Sequence, residues 1–214
     1  MENPLPEDNR PNSLSIARPD LPLSEHPFHE IGKAWDAARQ EATASAEGWI
    51  VPNQQAFMDK MMNWPEALGH LALLDYHGRD EIIYRLIGPN LYEQDAVGTN
   101  VLDLYDPSIL GYIQDWWQGQ FDCVCGAFVV TTVRQPDGII GFAEALRLPL
   151  TDDNGKLCRS ARVSRRVDTV GAVEEDEQTT IGGQYYRTAG IDLGYGVPAL
   201  EEKADVHKDT EAPK

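Results

Sequence analysis

Cysteine is nearly absent: the 214 residues hold only Cys123, Cys125 and Cys158. That is too few for a disulfide framework, and an odd count leaves at least one thiol without an intramolecular partner, so a reducing compartment is expected. Positive charge is scarce as well, with 18 Lys and Arg against 35 Asp and Glu, a formal net charge of -17 and a pI of about 4.5. Such a balance opposes sequence-independent contact with phosphate backbones or anionic bilayers, and we expect neither nucleic acid nor membrane as a partner. No apolar run approaches the roughly 18 to 20 residues of a membrane span. The opening Met1-Glu2-Asn3-Pro4 has neither the basic nor the apolar region of a signal peptide. A cytoplasmic protein is the expectation. Gly-x-Ser-x-Gly, Gly-x-x-x-x-Gly-Lys-Ser/Thr and the Rossmann fingerprint are all missing, which leaves hydrolase, nucleotidase and dehydrogenase chemistry without local support.

What is present begins at the ends. Six of the fourteen prolines (Pro4, Pro6, Pro11, Pro19, Pro22 and Pro27) fall in residues 1–28, a density that disfavours helix and sheet, so this segment reads as a disordered arm. Residues 171–214 carry ten acidic against four basic side chains, a net -6. Their glycine-rich middle shows no sustained period, and the segment reads as an acidic disordered tail. Between them, residues 29–170 form the expected domain. Ile31, Trp35, Ala38 and Ala42 recur at helical spacing and predict an amphipathic helix over 29–47. Asn53 is placed to cap a second helix over 54–63, with Phe57, Met58, Met61 and Met62 on its apolar side.

Two short apolar runs, 69–76 and 81–87, flank His77-Gly-Arg-Asp80 and predict a β-hairpin. After an irregular stretch over 89–107, Ser108 is an N-cap candidate for a helix through Tyr112, Ile113, Trp116 and Trp117. Strands over 123–134, 139–150 and 156–170 follow, separated by the turn signals Pro136-Asp-Gly138 and Asp152-Asp-Asn-Gly155. The prediction is an α+β domain: five antiparallel strands with helices on one face, preceded by the amphipathic helix.

Cys123 and Cys125 stand two apart on a predicted strand and read as small buried hydrophobes, because a zinc site would need two further ligands and only Cys158 with a distant histidine is available. No metal is expected, and no catalytic residue. Glu144 interrupts the apolar alternation Ile140, Phe142, Leu146, Leu148. Its carboxylate must find a partner, either Arg162 or Arg147 in a structural ion pair, or serve as a polar anchor in a ligand pocket. Arg159, Arg162, Arg165 and Arg166 alternate across the last strand and read as internal charge partners or an anion-facing patch. A ligand pocket between helices and sheet would draw on Tyr84, Leu86, Tyr92, Tyr105, Tyr112, Trp116, Phe128, Phe142 and Glu144.

The order from Gly69 to Val170 resembles a PAS domain: a hairpin, a helical middle that crosses the sheet, and a three-strand meander. Trp35-Asp-Ala-Ala-Arg39, Tyr84-Arg-Leu-Ile-Gly88, Gly98-Thr-Asn-Val-Leu-Asp-Leu104 and Leu146-Arg-Leu-Pro-Leu150 are similar to segments of small single-domain bacterial PAS proteins. The resemblance implies a sensory or signalling role without enzymatic activity, with a pocket between sheet and helices and with the N-terminal helix pairing protomers. It implies no particular ligand and no cofactor. Haem-binding members take a histidine from the helical middle, and none lies between His77 and His207 here. Flavin photosensors place a reactive cysteine in that middle, whereas the cysteines here fall later.

The function expected is therefore a sensor or signalling module acting through a protein partner, with homodimers formed by Ile31, Trp35, Ala38 and Ala42 and a small-molecule ligand as a second partner. The competing class is a small cone-shaped α+β enzyme of the polyketide-cyclase or isomerase type, with His70 or Asp75 as general base. That class keeps most strands together after its helices, whereas the helical segment 89–119 here separates two strands from three.

Overall fold

A computed structural model describes residues 28–45, 51–91, 94–134, 139–172 and 180–200. The proline-rich arm before Phe28 lies outside these residues, as do 173–179 and 201–214 of the expected tail. The helices are α1 (Phe28–Ser45), α2 (Gln54–Met61), α3 (Pro65–Leu68) and α4 (Leu110–Asp122); the strands are β1 (Leu71–Gly78), β2 (Glu81–Ile87), β3 (Gly126–Arg134), β4 (Ile139–Thr151), β5 (Leu157–Ala172) and β6 (Thr180–Ile191). Three single 3-10 turns lie between β2 and α4. No described helix is long and apolar enough to cross a membrane.

All strands pair antiparallel in one sheet of order β2-β1-β5-β4-β3-β6. The chain thus builds a hairpin, crosses the sheet through 3-10 turns and α4, and returns as a meander. The fold class stands as expected, with two differences. First, the strands number six: Thr180–Ile191, inside the segment read as a disordered tail, pairs along β3 from Gly126↔Ile191 to Arg134↔Thr180. Its start is also tied to the crossover, because the Asp106 N–H donates to Ile181 O at 2.9 Å. Gly190 admits a close approach there, since a Cβ at that position would meet Val197 Cβ at 2.8 Å.

Second, helices cover both sheet faces. Alternation along β1 sends Leu71 and Leu73 to one side and Ala72 and Leu74 to the other, all four buried. The first side packs against α1, α2 and α3 through Ile31, Trp35, Phe57, Met61, Leu146 and Leu148. The second packs against the crossover and α4 through Tyr84, Val101, Ile113, Trp117 and Val129. Because Ile31, Trp35 and Ala38 are 0% exposed against the sheet and Trp35 Nε1 donates to Pro149 O at 2.8 Å, the helix face expected to pair protomers is consumed inside the domain. Ala42 is half-buried at its end.

Local chemistry explains the boundaries. Asn53 caps α2 by accepting from the Ala56 N–H at 2.7 Å. The cap expected of Ser108 falls to Asp106, whose carboxylate accepts from the Ser108 N–H at 2.9 Å and starts a 3-10 turn ahead of α4. Cys123 ends α4, Val124 turns at φ 52, and the Cys125 N–H bonds to Gln120 O at 3.0 Å, so the strand expected from Cys123 starts at Gly126. A β-branched residue in the left-handed region is strained by about 1–2 kcal/mol. Val124→Gly is expected to raise stability by roughly 1 kcal/mol, read from the denaturant midpoint; an unchanged or lowered midpoint contradicts the strain. A chain ending at residue 172 loses β6 and leaves the β3 edge open. We expect it to self-associate or melt lower in sedimentation and thermal scans, whereas a monomer melting like the full chain would make β6 dispensable.

Candidate functional site

Face parity decides which of the expected pocket residues share a space. Along β4, Glu144, Leu146 and Leu148 lie on the α1 side and Ala143, Ala145 and Arg147 on the α4 side. Glu144, 2% exposed, pairs with Arg165 directly across on β5, with bonds of 3.0 and 2.8 Å. Neither Arg162 nor Arg147, the partners expected from the sequence, holds it. Arg165 in turn sits 5.8 Å from the Phe28 ring centroid, which places the ion pair beneath the start of α1. Phe128 is on that same side, edge-on to Phe28 at 5.8 Å.

The remaining pocket candidates disperse as well. Leu86 is 39% exposed, Phe142 is half-buried and belongs to neither apolar cluster, and Tyr92 lies outside the described residues. Trp116 is buried and Tyr112 half-buried on α4, their rings 6.4 Å apart. Among the described candidates, Tyr84 and Tyr105 belong to the apolar cluster between the sheet and the crossover, and Tyr112 packs against it.

Between the sheet and the crossover lies a small cavity of about 20 Å³ whose walls include Tyr105, Val129, Thr131, Arg147, Arg162 and Ser164. Arg147 and Arg162 are register partners on β4 and β5, 1% and 5% exposed. Arg162 Nη1 donates to Tyr84 Oη at 2.8 Å. Arg147 is held otherwise: its guanidinium carbon lies 4.2 Å from the Trp117 ring centroid, and Nε, Nη1 and Nη2 are buried with no acceptor. On β5, Ser164 is fully buried with an unpartnered hydroxyl. On α4, one turn beyond Trp117, Gln120 is fully buried with both amide atoms unpartnered. Among the described residues no carboxylate lines the cavity.

Magnitudes show how unusual Arg147 is. Taking one charged side chain out of water costs several kcal/mol even after relaxation, and a desolvated cation–π contact returns about 2 kcal/mol. Arginine cannot shed its proton to escape the penalty. A cavity of this size holds about one water, and one water accepts at most two hydrogen bonds from a group that donates five. Sequence reasoning named Arg147 only as a partner for Glu144. The signal that marks it is its own placement in Leu146-Arg147-Leu148, a cation between two leucines on a strand with both faces covered.

Other charged groups are committed elsewhere. Asp75 binds Arg85 and Arg159, each at 3.1 Å, and His70 Nε2 stands 3.2 Å from Asn90 Nδ2, so neither expected base of the enzyme alternative lines the cavity. A larger depression of about 440 Å³ lies between the end of α1, the start of α2 and the β4–β5 turn. Its Asp152 is spent on the turn, accepting from the Asn154 and Lys156 N–H groups at 2.9 Å, which holds its carboxyl below the usual range. Among the described residues no group of three or more His, Cys, Asp or Glu is arranged to hold a metal.

The succession of hairpin, helical crossover and antiparallel meander makes the architecture α+β and PAS-like. No protein-family model matches the chain, and no curated protein matches it in sequence. Among solved structures the chain is similar to VqmA bound to DPO, at 13% identity and a TM-score of 0.39, over 51% of this chain and 57% of that one. It is similar also to the Vibrio cholerae VqmA dimer, at 13% identity and 0.39, over 51% and 52%. A third is the PAS domain of a Colwellia psychrerythraea protein, at 18% identity and 0.35, over 50% and 96%. The chain therefore spans little more than half the length of either VqmA chain.

Cys125, fully buried at the end of α4, is pushed from 9.0 up to about 12, chiefly by burial and then by the neighbouring Cys123. An unfolded chain releases this proton near its ordinary value while the folded chain keeps it, so stability falls as pH rises from 9.0 toward about 12. The slope reaches about 1.4 kcal/mol per pH unit at most. Denaturant midpoints at about pH 8 and about pH 10 are expected to separate more in the wild type than in Cys125→Ala; equal separations would refute the buried, protonated thiol.

Proposed function

We propose that the protein is a non-enzymatic PAS-like sensor or signalling module, cytoplasmic as its three free thiols suggest, that takes a small molecule between the sheet and α4. A protein partner reads the resulting change. The observation that carries this reading is the cavity on the α4 side, with a buried arginine whose donors have no acceptor among the described residues. Its position matters because α4 is the element a ligand there would displace. Beyond the Trp117–Arg147 contact, the helix is fastened to the hairpin by ring stacking of Tyr76 on Phe121 at 4.0 Å, by Tyr76 Oη donating to Gln118 at 2.7 Å, and by Arg79 with Asp115 at 2.8 Å. A shift of α4 therefore reaches the outer end of the hairpin, which is exposed to a partner.

Pairing of protomers through Ile31, Trp35 and Ala38 is not part of this proposal, since those side chains fill the core. A metabolite panel screened by thermal melting is expected to yield compounds that raise the Tm by roughly 5–10 °C near saturation. Hydrogen exchange of residues 110–122 is expected to change with the same compounds. Ligands that leave α4 exchange untouched, or that the protein converts to product, would count against a sensor.

A further inference from the structure

Resting on that reading of the cavity, we propose that it is a subsite for the oxyanion end of the ligand, a carboxylate or a phosphate group held by Arg147 with Arg162 beside it. Arg147 carries the argument. It is 1% exposed, all three of its nitrogens lack an acceptor, and the Trp117 ring 4.2 Å away offers π density but no lone pair. An arginine fork matches two oxygens of one group, and hydrogen bonds to an ionised acceptor are roughly twice as strong as neutral ones. Neither an amide nor a hydroxyl of a neutral ligand cancels the charge.

The surroundings point the same way. Arg162 lies opposite Arg147 in register and faces the same space. Like charges directly across a strand pair repel, and an anion lodged against both converts that repulsion into attraction. Ser164 adds a buried hydroxyl with no partner, a further donor. About 20 Å³ is open and no described carboxylate lines it, so about one oxygen of the charged group fits as the walls stand and the rest of the group needs them to part. The body of a larger ligand enters only as α4, which carries Trp117, moves outward.

The test uses the purified full-length chain, melted in sodium acetate or sodium phosphate against sodium chloride at matched ionic strength. Wild type is expected to gain a saturable rise in Tm with at least one oxyanion beyond the chloride control, and the two arms tell carboxylate from phosphate. Arg147→Met, apolar and of similar length, abolishes the rise; Arg147→Lys keeps the charge without the fork and weakens apparent affinity about tenfold or more. Should Arg147→Met fail to fold, the wild-type melts and Arg147→Lys decide. A wild type indifferent to both anions, or a rise that survives in Arg147→Met, overturns the subsite. A neutral compound that alters α4 exchange equally in wild type and Arg147→Met keeps the sensor and overturns the oxyanion site. An Arg147-dependent anion response with α4 exchange unchanged keeps the site and overturns the sensor.

Discussion

Covering both faces of one antiparallel sheet is the constraint on which the rest of the structure depends. In a sheet with one wet face, every second residue is free to be polar, and a charge placed there costs little. Here the α1 side and the α4 side are both closed, so each side chain of the central strands must be apolar, paired or occupied. Most comply: β1 sends Leu71 and Leu73 into one core and Ala72 and Leu74 into the other, and Glu144 finds Arg165. Arg147 complies with none of the three within the protein.

The contrast between the two buried ion sites follows from a single residue of parity. Glu144 and Arg147 are three apart on β4, an odd separation, and therefore occupy opposite faces. Glu144 belongs to the architecture: its bond to Arg165 under Phe28 locks α1 over the sheet. Arg147 faces the crossover, where the walls mix tyrosine, serine, threonine and arginine with valine, alanine and isoleucine, and where α4 rather than α1 covers the sheet. One face thus holds a paired buried charge and the other an unpaired one, with the sheet between them.

Much of this was legible from local chemistry. The hairpin, the crossover and the three long strands were readable because Asp152-Asp-Asn-Gly155 and Pro136-Asp-Gly138 are turn signals and because the apolar runs between them are of strand length. The sixth strand was not, since Gly182, Gly183 and Gly190 interrupt any period-two pattern and its neighbour β3 lies about 50 residues earlier. Helix placement was also hidden: periodicity gives the buried stripe of α1, Ile31-Trp35-Ala38, but not which face of the sheet, or which protomer, covers it. Apart from Leu86 and Glu144 the expected pocket residues are aromatic, and aromatics fill cores as readily as they line cavities; the residue that distinguishes the site is a cation among leucines.

The late arrival of β6 bears on how the protein is made. Its partner strand is complete at Arg134, yet Thr180 is still to be synthesised, and at bacterial-to-eukaryotic elongation rates that gap lasts roughly 2–10 s. For that interval the nascent chain presents a row of unpaired backbone donors and acceptors along β3, beside the still unsealed wall that Ile181 will complete. Closure of the cavity wall is thereby deferred until β6 has been made.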